Sequence, residues 1–198
     1  MSTLALNIRM KGKLVVIIGG GSVAQRKLWK LLAAGAVVRV VATEICPDIK
    51  ALNNSERVVV RVGPYMAADL DNAFLVIAAT NDKMVNEQVR DDAQTRGIMV
   101  AVADNPSAGD CTLPAILQRG DLDIAVSTGG RCPTFAVNVR DQIARHIGIE
   151  YAEILERVAA EREKLLTNGS CSTYNAEVLQ SLASCLIAEF TERKELPP

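Results

Sequence analysis

Residues 13–27 read KLVVIIGGGSVAQRK, and this stretch constrains the fold more than any other. Five apolar residues, Leu14 to Ile18, end abruptly in three glycines, and a helix-forming run follows at once. Gly19, Gly21 and Ala24 fit the G-x-G-x-x-[GA] pattern of a strand–turn–helix unit that accommodates a dinucleotide. Gly19 allows a tight turn, Gly21 lets backbone N–H groups approach a pyrophosphate, and Ala24 lets the helix lie close to the strand. The phosphates would then meet the positive end of the helix dipole. The competing reading is a glycine-rich turn with no ligand. The strand before it and the helix after it favour the cofactor site.

Short apolar runs alternate with helical patterns through the first half. The patterning predicts strands over 14–18, 37–42, 57–62, 73–79 and 98–103. It predicts helices over 23–34, 47–53 and 83–96, the last with Val85, Val89 and Ala93 inward. Strands alternating with helices imply parallel pairing and right-handed crossovers. The pattern then changes. Residues 112–118 and 122–127 form a hairpin pattern turning at Arg119-Gly120-Asp121. Pro133 opens a helix over 133–147, which Gly148 ends. Two further helices carry apolar stripes, Ile154, Leu155, Val158 and Leu165 on one, Val178, Leu182 and Leu186 on the other, with a linker at 167–170. Such a pair cannot bury its stripes alone and must pack on the rest of the chain or on a second copy. The expected fold class is α/β: a Rossmann-like parallel sheet over 1–112, a small α+β region over 113–148 and a C-terminal helical region over 149–198.

A net charge of −1 leaves no broad basic footprint, which argues against nucleic acid as a partner. No apolar stretch approaches the ~20 residues that span a bilayer, and residues 1–13 lack a signal-peptide pattern. The expectation is a cytoplasmic protein with no membrane partner. The five cysteines include no CxxC pair and read mostly as small buried hydrophobes. His146 is the sole histidine, and a capping or surface role suits its place near a helix end. A metal centre or a Ser-His-Asp triad would have to rest on that one residue, so neither is expected.

In open α/β sheets, ligands bind beyond the carboxyl ends of the strands. Those ends here carry Gly19 to Val23, Thr43-Glu44, Thr80-Asn81-Asp82 and Asp104-Asn105-Pro106. Thr43 and Glu44 lie where a ribose-binding residue stands, and an acid there favours NAD over NADP. A solvated residue opening the next helix is an equal reading of Glu44. Asp104 is the best acid–base candidate, since a carboxylate there can take a proton while a hydride leaves for the cofactor. Asp-Asn-Pro is also a good turn signal, and the residues alone leave the two readings level. Ser127-Thr128-Gly129-Gly130-Arg131 is a second glycine-rich turn into a helix. Free N–H groups there, with the Arg131 charge, suit a substrate carboxylate or phosphate; a plain αL turn is the alternative.

Taken together, these residues resemble the precorrin-2 dehydrogenase family, the dehydrogenase (and in some members ferrochelatase) part of siroheme synthases. The resemblance rests on GKLVVIIGGGSVAQRK at 12–27, LLAAGAVVRVVA at 31–42, VIAATND at 76–82, VADNP at 102–106, LPAILQRGDLDIAVSTGG at 113–130, and Pro133. It implies a homodimer that uses NAD⁺ to oxidise precorrin-2 to sirohydrochlorin, with Fe²⁺ insertion to give siroheme in some members. It places the family's catalytic aspartate on Asp104 and cofactor contacts on Ser22, Val23, Thr43 and Glu44. The loop at Thr80-Asn81 lines the same cleft, the turn at Ser127 to Gly130 lies near the tetrapyrrole, and 113–148 becomes a dimerisation and substrate region. Ala101 stands where the family commonly has asparagine, and Cys132 where it often has serine. Nothing resembles the methyltransferase domain of the fused enzymes. A non-catalytic NAD-sensing regulatory module is the alternative, although no basic helix-turn-helix output is evident.

Overall fold

Apolar runs that face helices on both sides are buried on both sides, and the sheet is built of four such runs with a partly exposed strand at one edge. In the computed structural model, which describes residues 3–53, 55–167 and 172–195, the strands are β1 (Leu14–Ile18), β2 (Val37–Ala42), β3 (Val58–Val62), β4 (Leu75–Ala78) and β5 (Met99–Val102). All pair in parallel, in the order β3-β2-β1-β4-β5. This is the Rossmann order, with β1 at its centre. Helices α1 (Ser22–Ala33), α2 (Pro47–Ala51) and α3 (Lys83–Thr95) supply the crossovers.

The period-two alternation of β1 divides the core. Val15 and Ile17 join Ala24, Leu28 and Leu31 of α1, Val38 and Val40 of β2, and Ile49 of α2 on one face. Val16 and Ile18 join Val76 and Ala78 of β4, Val100 and Val102 of β5, and Val89 and Ala93 of α3 on the other. Each fully buried Val or Ile contributes about 1.5–3 kcal/mol, so both faces are needed and the sequence shows continuous rather than alternating hydrophobicity.

The chain divides into two units, residues 1–113 with 129–131 and residues 114–198 without them. In the second unit, β6 (Ala115–Arg119) and β7 (Leu122–Val126) form an antiparallel hairpin. Its turn carries Gly120 at φ +56°, where a Cβ would lie 2.9 Å from that of Ala152. Helix α4 (Pro133–His146) begins at the expected proline, and α5 (Glu150–Thr167) and α6 (Ser172–Glu195) follow. Ile154 and Leu186 are buried, whereas Leu155, Val158 and Leu165 are only half-buried. Residues 168–170 of the predicted linker lie outside the described residues. Among the described residues no helix is long and apolar enough to cross a membrane.

The predicted elements are present, with differences at their ends that have local causes. β6 starts at Ala115 rather than 112 because Pro114 has no N–H for the ladder. α2 stops at Ala51, and Asn53 turns its Oδ1 to accept the Val60 N–H at 2.9 Å. The four described cysteines do not follow the expectation of burial: Cys46 and Cys111 are half-buried and Cys132 and Cys185 exposed, none in a disulfide, while Cys171 lies outside the described residues. Cys46 and Cys132 occupy the N-cap positions of α2 and α4, Cys46 packed in part against the core and Cys132 exposed.

One polar cluster joins β2 and β3 to the following loop. Asp69, nearly buried, accepts from the Met66 N–H at 2.8 Å and from Nε of Arg61 at 2.7 Å, with Nη2 of Arg61 as a second donor. Arg39 donates to the Asp69 carbonyl at 2.7 Å. Replacing Asp69 by Ala removes the acceptor of the Met66 N–H and of the Arg61 guanidinium while keeping the carbonyl that holds Arg39, and the groups left unpaired together cost about 1–3 kcal/mol. Urea unfolding of Asp69→Ala is expected to show a loss in that range, and an unchanged midpoint would refute the cluster's structural role.

Candidate functional site

The turn after β1 is shaped by neighbouring main chain. Gly19 sits at φ +131°, and a Cβ there would lie 2.3 Å from the Ala79 carbonyl oxygen, beyond β4. A Cβ on Gly20 would lie 2.0 Å from the Glu44 carbonyl oxygen, beyond β2. The Gly19 N–H donates to Val41 O, and the Cys46 N–H to Gly20 O, both at 2.9 Å. The motif leaves the middle glycine open to any residue, yet here Gly20 is as constrained as Gly19. Gly21 is different: nothing lies within 4 Å of where its Cβ would be.

Gly21 is also the N-cap of α1, and no side chain caps the helix or places an acid in its first turn. The first helical bond runs from the Gln25 N–H to Gly21 O at 3.0 Å. Ser22 and Val23 are exposed, and Ala24 is fully buried against the sheet. The turn is therefore packed tight on its sheet side and open where the helix N–H groups emerge. These residues fit a dinucleotide diphosphate by shape and polarity.

Thr43 and Glu44 are exposed just beyond β2, and the Gly20–Glu44 approach sets them beside the turn. Arg39 does not reach this end of the strand, because its guanidinium is held by Asp69 O and by Asp71 O at 3.3 Å. Arg39 is thus engaged elsewhere and does not counter a 2′-phosphate.

Beyond β4, Thr80 is half-buried and Asn81 exposed. Asp82 caps α3 by accepting the Met84 N–H at 2.9 Å. Beyond β5, Asp104 is exposed, and its Oδ1 accepts from Nδ2 of Asn86 at 2.8 Å. Asn86 is 1% exposed and also accepts the Thr80 N–H at 3.1 Å. It thus ties together two of the predicted site segments. Asp104 and Asn86 line a cavity of about 260 Å³ with Lys83, Glu87 and Asn105.

Asn86 was not among the predicted site residues. The signal for it was present: a polar side chain in register with Val89 and Ala93 on the buried stripe of α3. Val85, predicted inward, is only half-buried.

The second glycine turn divides between the units. Gly129 and Gly130 have φ of +61° and +81°. They belong to the first unit with Arg131, where a Cβ on Gly130 would meet that of Pro106 at 2.5 Å. Gly130 therefore lies against the loop that carries Asp104. Arg131 is exposed. Ser127 and Thr128 belong to the second unit. Thr128 Oγ1 accepts the Cys132 N–H at 3.1 Å, so one of the N–H groups expected to be free at the start of α4 already has a partner.

The two kinds of glycine in the first turn separate by experiment. Gly20→Ala is expected to cost about 1–3 kcal/mol of stability through overpacking against Glu44 O. Gly21→Ala is expected to keep the melting temperature while weakening NAD⁺ binding at least about tenfold by calorimetry, since its methyl enters the open cradle. Equal melting losses in both variants would contradict this division.

Comparison with known proteins agrees with this geometry. The family model described as "Putative NAD(P)-binding" matches residues 6–115, and that of the sirohaem biosynthesis protein central region matches 119–146. A siroheme synthase of Pseudomonas putida is 39% identical over 165 residues, 83% of this chain and 36% of that protein. One from Photorhabdus laumondii is 36% identical over 143 residues, 72% of this chain and 30% of that protein. The chain thus spans about a third of the length of these relatives. The solved structure of SirC, precorrin-2 dehydrogenase, has the same fold, with a TM-score of 0.75 at 24% identity over 96% of this chain and 98% of that one. The chain belongs to the "Putative NAD(P)-binding" family and is similar to about a third of the length of the siroheme synthases that it matches.

Proposed function

We propose that this chain oxidises precorrin-2 to sirohydrochlorin with NAD⁺. The observation that carries the proposal is the turn at Gly19 to Val23, closed by main chain on the sheet side and open at the helix start, with a carboxylate two strands away at the end of β5. Bound NAD⁺ supplies the hydride acceptor.

The chain's own residues do the rest. The N–H groups of Ser22 and Val23 hold the diphosphate, and Thr43 and Glu44 meet the adenosine ribose. Thr80 and Asn81 border the nicotinamide end. As a C–H bond of the substrate gives up its electron pair with hydrogen, Asp104 takes the proton lost from the neighbouring position. In the first unit the turn residues Gly129 to Arg131, with Gly130 against Pro106, serve the substrate's carboxylates. In the second unit, exposed Ile116, Phe135 and Val137 support a homodimer built through the hairpin and α4.

A general base typically contributes 10²–10⁴-fold to rate. Asp104→Ala is therefore expected to bind NAD⁺ normally and to lose about 10²–10⁴-fold in kcat, read from NADH absorbance with precorrin-2. Undiminished NADH formation would refute the assignment. Glu44→Ala is expected to narrow the preference for NAD⁺ over NADP⁺ by about tenfold, measured as the ratio of kcat/KM values; an unchanged ratio would return Glu44 to an ordinary solvated residue.

A further inference from the structure

Asn86 is a polar side chain within the apolar stripe of α3, and every hydrogen-bonding position of its amide is used. The Thr80 N–H, 3.1 Å away, can only donate, so the amide atom facing it is Oδ1. Thr80 Oγ1 lies 2.7 Å from the same oxygen. Nδ2 then faces Thr80 O at 3.1 Å and Asp104 Oδ1 at 2.8 Å. Both N–H groups are filled, and Oδ1 accepts the Thr80 N–H and shares the single Thr80 hydroxyl proton with Asp82 O, which lies 2.9 Å from Oγ1.

One consequence concerns the carboxylate. An amide NH₂ has no acceptor capacity, so Asp104 Oδ1 must accept. A proton on that oxygen would point at another N–H. We propose that Asn86 is the positioning residue for Asp104: it holds Oδ1 as an acceptor and leaves Oδ2 as the atom that receives the substrate proton. This rests on the reading of Asp104 as the base. The bond also fixes the carboxylate rotamer at the edge of the 260 Å³ cavity. Thr80 anchors Asn86 in turn, so the geometry at the end of β5 is set from the end of β4.

The test uses two variants. Asn86→Asp keeps acceptors for both Thr80 donors but cannot donate to Asp104; Asn86→Ala removes all four bonds. Both are assayed with precorrin-2 and NAD⁺, with NAD⁺ affinity measured by calorimetry and folding by melting temperature. Small misplacement of a reacting group costs on the order of 10²-fold, and kcat is expected to fall by that factor in both. KM for precorrin-2 and Kd for NAD⁺ stay within about twofold, since the bond acts on the reacting carboxylate rather than on binding. In an Asp104→Ala background, Asn86→Asp is expected to cost nothing further. Should Asn86→Ala fail to fold, Asn86→Asp carries the test alone. Retained kcat, a loss placed in Kd or KM, or a second full loss in the Asp104→Ala background would each overturn the positioning role while leaving Asp104 as the base. Full turnover by Asp104→Ala would instead remove the base itself, a result that the Asn86 variants cannot mimic.

Discussion

The structure depends on how closely three strand ends approach one another. Two α-carbons without side chains, those of Gly19 and Gly20, lie against the carbonyls of Ala79 and Glu44. Any side chain there would push β4 or β2 away from the central strand. Because the contact is backbone against backbone, rotamer changes cannot relieve it. The same contact draws the ends of β1, β2 and β4 into one rim, which leaves Gly21 as the open position. Fold and site are two results of a single packing constraint.

Much of the first unit was legible because its signals are redundant. Val15, Ile17, Val38 and Val40 are apolar, β-branched and bounded by turn residues, so strand identity and partner type follow together. The ends were less legible. Strand β4 was expected over 73–79 but spans Leu75–Ala78, because Ala73 and Ala79 are apolar without belonging to the ladder. Periodicity also placed Val85 inward on α3, where it packs half-buried against the core, but it passed over Asn86, which the helix buries more deeply. A helical stripe defined only by apolar residues passes over a polar residue whose partners come from elsewhere in the chain. Gly20 escaped for a related reason: its need arises from Glu44, 24 positions on, and a local motif cannot register it.

Asn86 shows what the core accepts in exchange for a defined site. An amide buried at this depth would be costly if any of its four positions lacked a partner. Here Thr80 and Asp104 supply all of them. The sequence run Thr80-Asn81-Asp82 is therefore more than a turn. Thr80 holds the asparagine, Asp82 caps the helix that carries it, and both act on the loop that Asn81 exposes. The second glycine turn repeats the pattern on a smaller scale, with Gly130 lying against Pro106 so that the chain passes beside the Asp104 loop.

The central claim is that main-chain N–H groups at the start of α1 bind a diphosphate. Amide nitrogen–proton spectra of the ¹⁵N-labelled protein during NAD⁺ titration test it most directly. The account predicts that the Gly21, Ser22 and Val23 amides shift most, that ADP reproduces those shifts, and that adenosine does not. Saturable NAD⁺ binding that leaves these three resonances in place would contradict it.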